Sequence, residues 1–299
     1  MRTGFTRRTD RLSPAEVESL RAMTPGHTVD HPDAWVAPIL FASPHSGSIY
    51  PQAFRERALL GKAQLRRNED MFVDRLIAAA VPAGAPRLCA HFPRCYVDVN
   101  RAPDDLPQSW SDRPIDPSAR AQAGIGVVPT HIGDRAPIYR RIPSRADVEA
   151  RIAALYHPYH AALQALIGQS CARFGQALLI DCHSMPGFAP MGSRRPDIVL
   201  GDRFGRACHA DTLLQVRQVL QDAGFSVAVN YPYAGGYVTD HYGRPDSGIE
   251  TLQIEINRDL YLNPVTLAPK RSYDDLAGRM AQVVQTLIDQ RRPQAIAAQ

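Results

Sequence analysis

Apolar runs alternate along the chain with segments of helical periodicity, and this alternation restricts the possible fold more than any other feature. The runs are rich in β-branched residues and are bounded by turn residues, as expected of buried strands. They cover residues 37–43, 88–99, 177–182, 197–200, 225–229 and 251–256. Segments of helical period cover residues 63–80, 145–168, 206–223 and 273–291. Strands alternating with helices predict an α/β fold with a central mixed, mostly parallel sheet that is flanked by helices on both faces.

Single residues refine this prediction. Gly224 follows the third helical segment, where a residue of positive φ is expected, and Pro158 is predicted to kink or divide the second segment. The stretch 102–143 is rich in Pro, Asp, Arg and Gly and shows little periodicity. We interpret it as a long loop excursion over the sheet edge, within a single α/β domain that covers residues 1–299.

Composition excludes several classes of function. The 34 basic and 30 acidic residues are dispersed and give a net charge of only +4, so no nucleic-acid partner is expected. The five cysteines have no CxxC spacing, which argues against a disulfide framework and favours buried thiols in a reducing cytoplasm. The chain has no apolar stretch of about 18 residues and no apolar leader, so we expect a cytoplasmic protein without a membrane partner. Its oligomeric state is left open.

Polar clusters follow four of the predicted strands. Their sequences are SPHSG at 43–47, VDVNR at 97–101, DCHS at 181–184 and QIEINR at 253–258. In open sheets with parallel strands, ligands bind beyond the carboxyl ends of the strands. The four clusters are therefore predicted to meet at one edge of the sheet and to form the functional site.

Two histidines in these clusters, His45 and His183, suggest a metal site. A catalytic zinc ion takes three protein ligands and leaves a fourth position open, and a carboxylate commonly completes the set. Glu69 and Asp70, at the start of the helix after His45, are both candidates for that carboxylate. A hydrogen-bonded structural role is the alternative for either histidine alone, but the pair of strand-end histidines favours one bound Zn²⁺ per chain.

Other residues of the clusters suit an anionic small-molecule substrate. Arg101 can clamp a substrate carboxylate with Asn100 as a neutral donor beside it, or it can form a salt bridge at the base of a loop. Glu255 lies within an apolar run where an unpaired carboxylate is costly to bury. It is predicted either to act as general base and acid or to pair with Arg94 or Arg258 in a structural network.

Nucleophilic catalysis and phosphate binding are disfavoured. Cys182 adjoins His183 and Ser46 adjoins His45, but adjacent positions on a strand face opposite sides, so neither pair can act as nucleophile and base. The chain contains no GxSxG, no GxGxxG and no Walker A sequence.

Six segments, taken together and in order, resemble the N-formylglutamate amidohydrolase family over residues of about 40 to 262. They are SPHSG at 43–47, RNED at 67–70, RCYVDVNR at 94–101, DCHSMP at 181–186, YAGGY at 233–237 and QIEINRDLY at 253–261. This family is similar to zinc carboxypeptidases and aspartoacylase, which implies a phosphorylase/hydrolase-like fold with a central mixed sheet.

The resemblance implies a role for each matching residue. His45 and His183 would bind zinc. Ser48 stands where the relatives place their glutamate ligand, so Asp70 or Glu69 would supply the carboxylate, and Asp70 is preferred because the aspartate is the position most widely associated with the family. Asn100 and Arg101 match the pair that holds the substrate carboxylate, and Glu255 matches the catalytic glutamate. The implied reaction is zinc-dependent hydrolysis of N-formyl-L-glutamate to formate and L-glutamate, a step of histidine catabolism.

Further arginines are expected to serve the charged groups of this substrate. Arg94 or Arg101 would stabilise the developing oxyanion, and Arg258 and Arg140 are additional candidates for binding carboxylates. Two alternatives stay open: an amidohydrolase or carboxypeptidase-like enzyme acting on another N-acyl amino acid or a small peptide, and a metal-free binding protein on the same scaffold.

Overall fold

Seven strands form one sheet in the computed structural model, which describes residues 11–110, 116–133, 135–189 and 191–293. The ends of the expected 1–299 domain, and residues 111–115 and 134 of the excursion, lie outside the described residues. The strands run in the order β1-β3-β2-β4-β7-β5-β6. They are β1 His27–Asp30, β2 Ile39–Ser43, β3 Arg87–Ala90, β4 Ala177–Met185, β5 Ile198–Gly201, β6 Val227–Val229 and β7 Ile249–Asn257.

The sheet is mixed and mostly parallel, as the sequence predicts. Strands β2, β3, β4 and β7 run parallel to one another, β5 is parallel to β6, and the antiparallel pairs are β1 with β3 and β5 with β7. The longest pairing joins β4 to β7 and places His183 directly beside Glu255. The central parallel strands therefore end at one edge, where β2, β4 and β7 deliver three of the four polar clusters.

Alternate residues of the central strands pack into two separate cores, one on each face of the sheet. Leu40 of β2 and Leu179 of β4 belong to one core, whereas Ile39 and Leu178 belong to the other. Because successive strand side chains point to opposite faces, apolar residues at every position are what a sheet covered on both sides requires. This explains why the strand signal was a continuous apolar run.

Helices cover both faces. They are α1 Pro14–Met23, α2 Gln52–Arg57, α3 Lys62–Arg66, α4 Val73–Leu76, α5 Ala80–Ala83, α6 Ala119–Gln122, α7 Arg145–Arg151, α8 His157–Phe174, α9 Ala210–Asp222, α10 Tyr237–Tyr242 and α11 Tyr273–Gln290. A π-helical turn, Ile152–Tyr156, joins α7 to α8 just before Pro158, and Gly224 has a φ of +80° after α9. Both single-residue predictions are confirmed. In the described part of the chain, we find no helix both long and apolar enough to cross a bilayer.

The predicted helix over residues 63–80 is wrong. The chain instead forms the short helices α3, α4 and α5, and it is non-helical between Arg67 and Phe72. Phe72 has a φ of +64°, a left-handed conformation that an α-helix does not contain. Two distant contacts hold this break: Asp70 N donates to the His45 carbonyl at 3.0 Å, and Arg258 pairs with the Asp70 carboxylate at 2.8 Å. The interruption places Asp70 at the sheet edge.

The predicted strand over residues 88–99 is also too long. Strand β3 ends at Ala90, and the following residues form turns rather than a ladder. Strand β1 is absent from the predicted strands, because three of its residues are half-buried, Thr28 is exposed, and the strand pairs only along the sheet edge. The excursion is better packed than its composition suggests: Trp110, Val127 and Ile138 are buried in the core that contains Leu40.

Candidate active site

Three buried side chains meet at the carboxyl edge of the sheet. His45 follows β2, His183 lies on β4, and Asp70 comes from the break between α3 and α4; none is more than 2% exposed. The two Nδ1 atoms of His45 and His183 are 3.1 Å apart, and Asp70 Oδ2 lies 3.3 Å from the first and 3.0 Å from the second. The imidazole centroids are 4.8 Å apart. The predicted meeting of His45, His183 and one carboxylate is confirmed.

The opposite nitrogen of each imidazole faces a second carboxylate. His45 Nε2 lies 2.8 Å from Asp98 Oδ1, and His183 Nε2 lies 3.0 Å from Asp181 Oδ2. A carboxylate at this position fixes the proton on Nε2 and leaves the Nδ1 lone pair free, the arrangement that usually supports metal-bound histidines. Asp181, at the start of the DCHS cluster, thus orients the histidine two residues after it.

The donor set fits a metal ion. With both Nε2 atoms protonated, two imidazole lone pairs and one carboxylate oxygen converge on a single point, and these acceptors repel one another unless a cation lies among them. Either a metal ion or an additional proton on His183 would remove this repulsion. Ligand atoms about 2 Å from a tetrahedral zinc ion lie about 3.3 Å apart, and the three ligand atoms here are 3.0 to 3.3 Å apart. His45, Asp70 and His183 are therefore the residues that could hold the ion.

Hydrogen bonds to the second carboxylate oxygen of Asp70, Oδ1, hold this side chain in place. Its Oδ1 accepts hydrogen bonds from Arg258 Nη2 at 2.8 Å and from Ser184 Oγ at 3.1 Å. Burial alone would raise the pKa of Asp70, but hydrogen bonds to His183 and His45 and the Arg258 charge together hold that pKa well below its usual range. Asp70 therefore stays ionised. Glu69, the alternative ligand, points elsewhere and pairs with Arg66 at 3.1 Å.

Glu255 lies beside His183 on the neighbouring strand and is 8% exposed. Gln253 Nε2 donates to its Oε1 at 2.9 Å. Burial is the largest influence on the Glu255 carboxyl and raises its pKa to about 7, although the nearby His183, Arg94 and Arg258 charges act in the opposite direction. A carboxylate with this pKa can both accept and release a proton near neutral pH.

A cavity of about 590 Å³ opens over these groups. Its wall includes both histidines and Glu255, together with an unusual number of arginines. These are Arg67, Arg94, Arg101, Arg120, Arg203 and Arg258. The cavity therefore suits a small anion of more than one negative charge.

Three arginines predicted for the site, Arg94 as catalytic and Arg101 and Arg258 as substrate-binding, line this cavity but are already engaged. Arg94 pairs with Asp98 at 2.9 Å, and Arg258 donates to Asp70, to Ser184 and to the Arg67 carbonyl. Arg101 donates from Nε to the Ile125 carbonyl and from Nη1 to its neighbour's carbonyl. Their guanidinium groups first hold the site together, and any substrate contact comes from the remaining N–H groups.

Asn100 and Arg140 occupy different surroundings. The Asn100 side chain fills a narrow gap between His183, whose Nε2 is 3.2 Å from Asn100 Nδ2, and the backbone N–H of Val238, which donates to Asn100 Oδ1 at 2.8 Å. A Cβ at Gly236 would lie 2.3 Å from that side chain, so this position requires glycine. Arg140 is exposed and does not belong to the cavity wall. Its substrate-binding role, like that of Asn100, stays a prediction.

Sequence reasoning missed three groups of the site. They are Asp98, for which the polar cluster predicts no partner, and Arg120 and Arg203, which no sequence pattern indicates. Asp98 was recognisable from its position two residues before Asn100 in a cluster of alternating polar residues. The two arginines gave no local signal, because they come from the excursion and from the loop after β5 and meet only in the folded chain.

Fold and site together define a class: a mixed-sheet α/β protein with a buried His-Asp-His set, a neighbouring carboxylic acid and an arginine-lined cavity. The family model described as N-formylglutamate amidohydrolase matches residues 37–262. The N-formylglutamate deformylase of Pseudomonas aeruginosa is 30% identical over 257 residues, which cover 84% of this chain and 91% of that protein. Its namesake from Pseudomonas putida is 28% identical over 256 residues, with the same coverage of 84% and 91%.

A solved structure agrees with this match. The crystal structure of N-formylglutamate amidohydrolase from Ralstonia eutropha JMP134 superposes with a TM-score of 0.83 at 32% identity, over 89% of this chain and 98% of that one. The chain therefore belongs to the N-formylglutamate amidohydrolase family. The resemblance stated from six sequence segments is confirmed.

Proposed function

We propose that this chain catalyses the hydrolysis of N-formyl-L-glutamate to formate and L-glutamate. The observation that carries the proposal is the placement of Glu255 beside the His45, Asp70 and His183 set, within a cavity lined by six arginines. The names of the relatives from Pseudomonas aeruginosa and Pseudomonas putida support the choice of substrate. Arginines at the cavity wall match a substrate that carries two carboxylates.

His45, Asp70 and His183 would hold one Zn²⁺ ion, with Asp98, Asp181 and Arg258 fixing their orientation. When bound, the ion supplies Lewis-acid chemistry that polarises the formyl carbonyl and acidifies water. The metal is part of the proposal, since its support is the convergence of three ligand atoms.

Glu255 is the proposed general base and acid. It takes a proton from the attacking water and later delivers a proton to the leaving amide nitrogen, so that the C–N bond breaks and glutamate leaves as an amine. The Gln253 amide, which donates to one of its oxygens, keeps the carboxylate facing the cavity. Arg94, whose guanidinium lines the cavity beside Glu255, is the proposed donor to the oxygen on which negative charge develops.

Release of L-glutamate, the product that all three candidate substrates share, is measured together with metal content to test this function. Purified protein is assayed with N-formyl-L-glutamate, N-acetyl-L-glutamate and a glutamyl dipeptide, before and after treatment with a chelator. We expect the highest kcat/KM for the formyl substrate, stoichiometric zinc, and loss of activity on chelation that zinc restores. A preference for the acetyl or peptide substrate would instead support another N-acyl amino acid hydrolase. Hydrolysis of none of them, in protein with no bound metal, would support the binding-protein alternative.

A further inference from the structure

The six arginines of the cavity differ in how far their charge is neutralised. Arg94 and Arg258 face the carboxylates of Asp98 and Asp70 at 2.9 and 2.8 Å. Arg67 is exposed and has no carboxylate within ion-pair distance among the residues that the structure describes, and the same is true of Arg120. Arg120 projects from the short helix α6 of the excursion and is exposed at the mouth of the cavity. Its positive charge is therefore available to a ligand.

Arg120 does not stand alone. Arg101 and Arg203 line the same side of the cavity, and the three arginines also line an adjoining space of about 720 Å³. Burial lowers the pKa of Arg101, and repulsion from Arg94 and Arg120 lowers it further, despite the attraction of Asp98 and Asp105. The adjoining space is also lined by the aspartates Asp104, Asp105, Asp116 and Asp240, whereas the described wall of the cavity itself has six arginines and one carboxylate, Glu255. An anion is therefore favoured on the cavity side of these arginines.

The backbone at Arg203 shows that its position is specified. Arg203 and Phe204 have φ values of +57° and +58°, a conformation that two successive residues other than glycine rarely adopt. The turn is held by Arg203 N, which donates to the Ala234 carbonyl at 2.8 Å, and by Arg203 Nε, which donates to Asp240 at 2.9 Å. These bonds keep the guanidinium at the junction of the two spaces.

Burial gives an order outward from the reacting centre. Asn100 contacts His183 and is 5% exposed, and the side chain of the next residue, Arg101, is 15% exposed. The Arg203 side chain is 30% exposed and Arg120 lies at the surface. In N-formylglutamate the α-carboxylate lies next to the scissile amide, and the side-chain carboxylate lies three further carbons away. Arg101, the nearer arginine, suits the α-carboxylate, and the outer pair, Arg120 and Arg203, suits the side-chain carboxylate.

We propose that Arg120, supported by Arg203, binds the side-chain carboxylate of the substrate and thereby selects an acidic side chain. This inference rests on the proposed function, of which it names the specificity determinant. A guanidinium and a carboxylate form two parallel charge-assisted hydrogen bonds, which a neutral amide cannot reproduce. An enzyme with Arg120 therefore discriminates against glutamine-type side chains, and one without it does not.

The test compares two substrates and three variants. N-formyl-L-glutamate and N-formyl-L-glutamine differ only in the charge of the side chain. Arg120→Met removes the charge at similar length, Arg120→Lys keeps it without the planar fork, and Arg55→Met removes a charge from the exposed surface of α2, away from the cavity. Values of kcat/KM are measured for each combination, and binding of free L-glutamate and L-glutamine is measured by calorimetry.

We expect Arg120→Met to lower kcat/KM for N-formyl-L-glutamate by about 10- to 100-fold and that for N-formyl-L-glutamine by less than about threefold, since one charged hydrogen-bonding partner is worth about this much. Arg120→Lys should recover part of the loss, and Arg55→Met should match the unmodified enzyme. Equal losses on both substrates, or no loss on the charged one, would overturn the proposal.

Calorimetry separates this proposal from the proposed function. If the unmodified protein released no formate from either substrate, the proposed function would be wrong, but the role of Arg120 would still be decided. Tighter binding of glutamate than of glutamine that disappears in Arg120→Met would support it, and identical binding of the two amino acids by the unmodified protein would refute it.

Discussion

Asp98 accepts a hydrogen bond from Nε2 of His45 at 2.8 Å, and this carboxylate is itself only 3% exposed. Its second oxygen pairs with Arg94 at 2.9 Å. Burial would raise the pKa of Asp98, but the charges of Arg94 and Arg101 and the hydrogen bond from His45 hold that pKa well below its usual range. Asp98 thus links the proposed metal ligand to the proposed oxyanion donor through one ionised group.

Replacement of Asp98 by Asn is expected to weaken metal binding by about 10- to 100-fold, the usual effect of removing a carboxylate behind a metal-bound histidine. The measurement is a zinc competition titration against a chelator of known affinity. Asp30→Asn is the matched control, because Asp30 forms an ion pair with Arg87 at 2.6 Å outside the cavity. Unchanged zinc affinity in Asp98→Asn would show that His45 does not depend on this contact.

Glu255→Gln should leave the metal content unchanged and lower kcat at least about a hundredfold, the scale of a lost general base. The substitution keeps the size and the hydrogen-bonding capacity of the side chain, and Gln253 can still donate to its oxygen. Activity is measured as formate release, and zinc is quantified in the same samples. Near-normal turnover would assign Glu255 to a structural network, whereas loss of zinc would show that it helps to hold the ion.

The sequence predicts the strands of this fold better than it predicts the loops that carry the site. Strands β2, β4 and β7 are continuous apolar runs, because both faces of the sheet are covered, and their carboxyl ends place His45 and His183 correctly. The break that positions Asp70 depends on Arg258, which lies 188 residues away along the chain. Local periodicity cannot reveal such a contact, so it predicts an unbroken helix there.

The arginines show the same limit. Residue type and position indicate that Arg94, Arg101 and Arg258 belong to the site, but the neighbours that neutralise each charge come from other segments. Asp98 lies close to Arg94 in the chain, whereas Asp70 reaches Arg258 only through the fold. The sequence therefore indicates some of the arginines of the cavity but not Arg120 or Arg203, and it does not indicate which charges are available to a substrate.

Arg151 provides a test of stability away from the cavity. This arginine is 1% exposed, its Nε and Nη2 donate to Glu16 at 2.7 and 2.8 Å, and its guanidinium carbon lies 3.8 Å from the centroid of the Tyr96 ring. Arg151→Met leaves the buried Glu16 carboxylate with Arg57 as its remaining charged partner. We expect the free energy of unfolding to fall by about 3 to 5 kcal/mol, as for other broken buried ion pairs.

Urea unfolding at equilibrium measures this loss. Arg292→Met is the matched control, because Arg292 forms an ion pair with Asp289 in which both side chains are 49% exposed. Its removal should change the free energy of unfolding by less than about 1 kcal/mol. A comparably small change in Arg151→Met would mean that the buried pair is replaced by hydration or repacking at little cost.

His160 makes stability depend on pH. Its Nε2 donates to the Val99 carbonyl at 2.9 Å, its Nδ1 accepts from the Tyr242 hydroxyl at 2.8 Å, and burial lowers its pKa to about 4. In the unfolded chain the group has an ordinary pKa of about 6.5. Below pH 6.5 the unfolded state therefore binds a proton at His160 that the folded state does not bind. As a consequence, the free energy of unfolding decreases as the pH falls towards 4.

His160→Gln should remove this part of the pH dependence. The amide can still donate to Val99 and accept from Tyr242, but it does not titrate. The measurement is the difference in free energy of unfolding between the two proteins at several values between pH 7.5 and 5, so that the contributions of all other groups cancel. We expect the free energy of unfolding of the variant, relative to that of the unmodified protein, to rise by about 1 kcal/mol or more as the pH falls over this range. A difference that stays constant with pH would show that the pKa of His160 is the same in the folded and the unfolded chain.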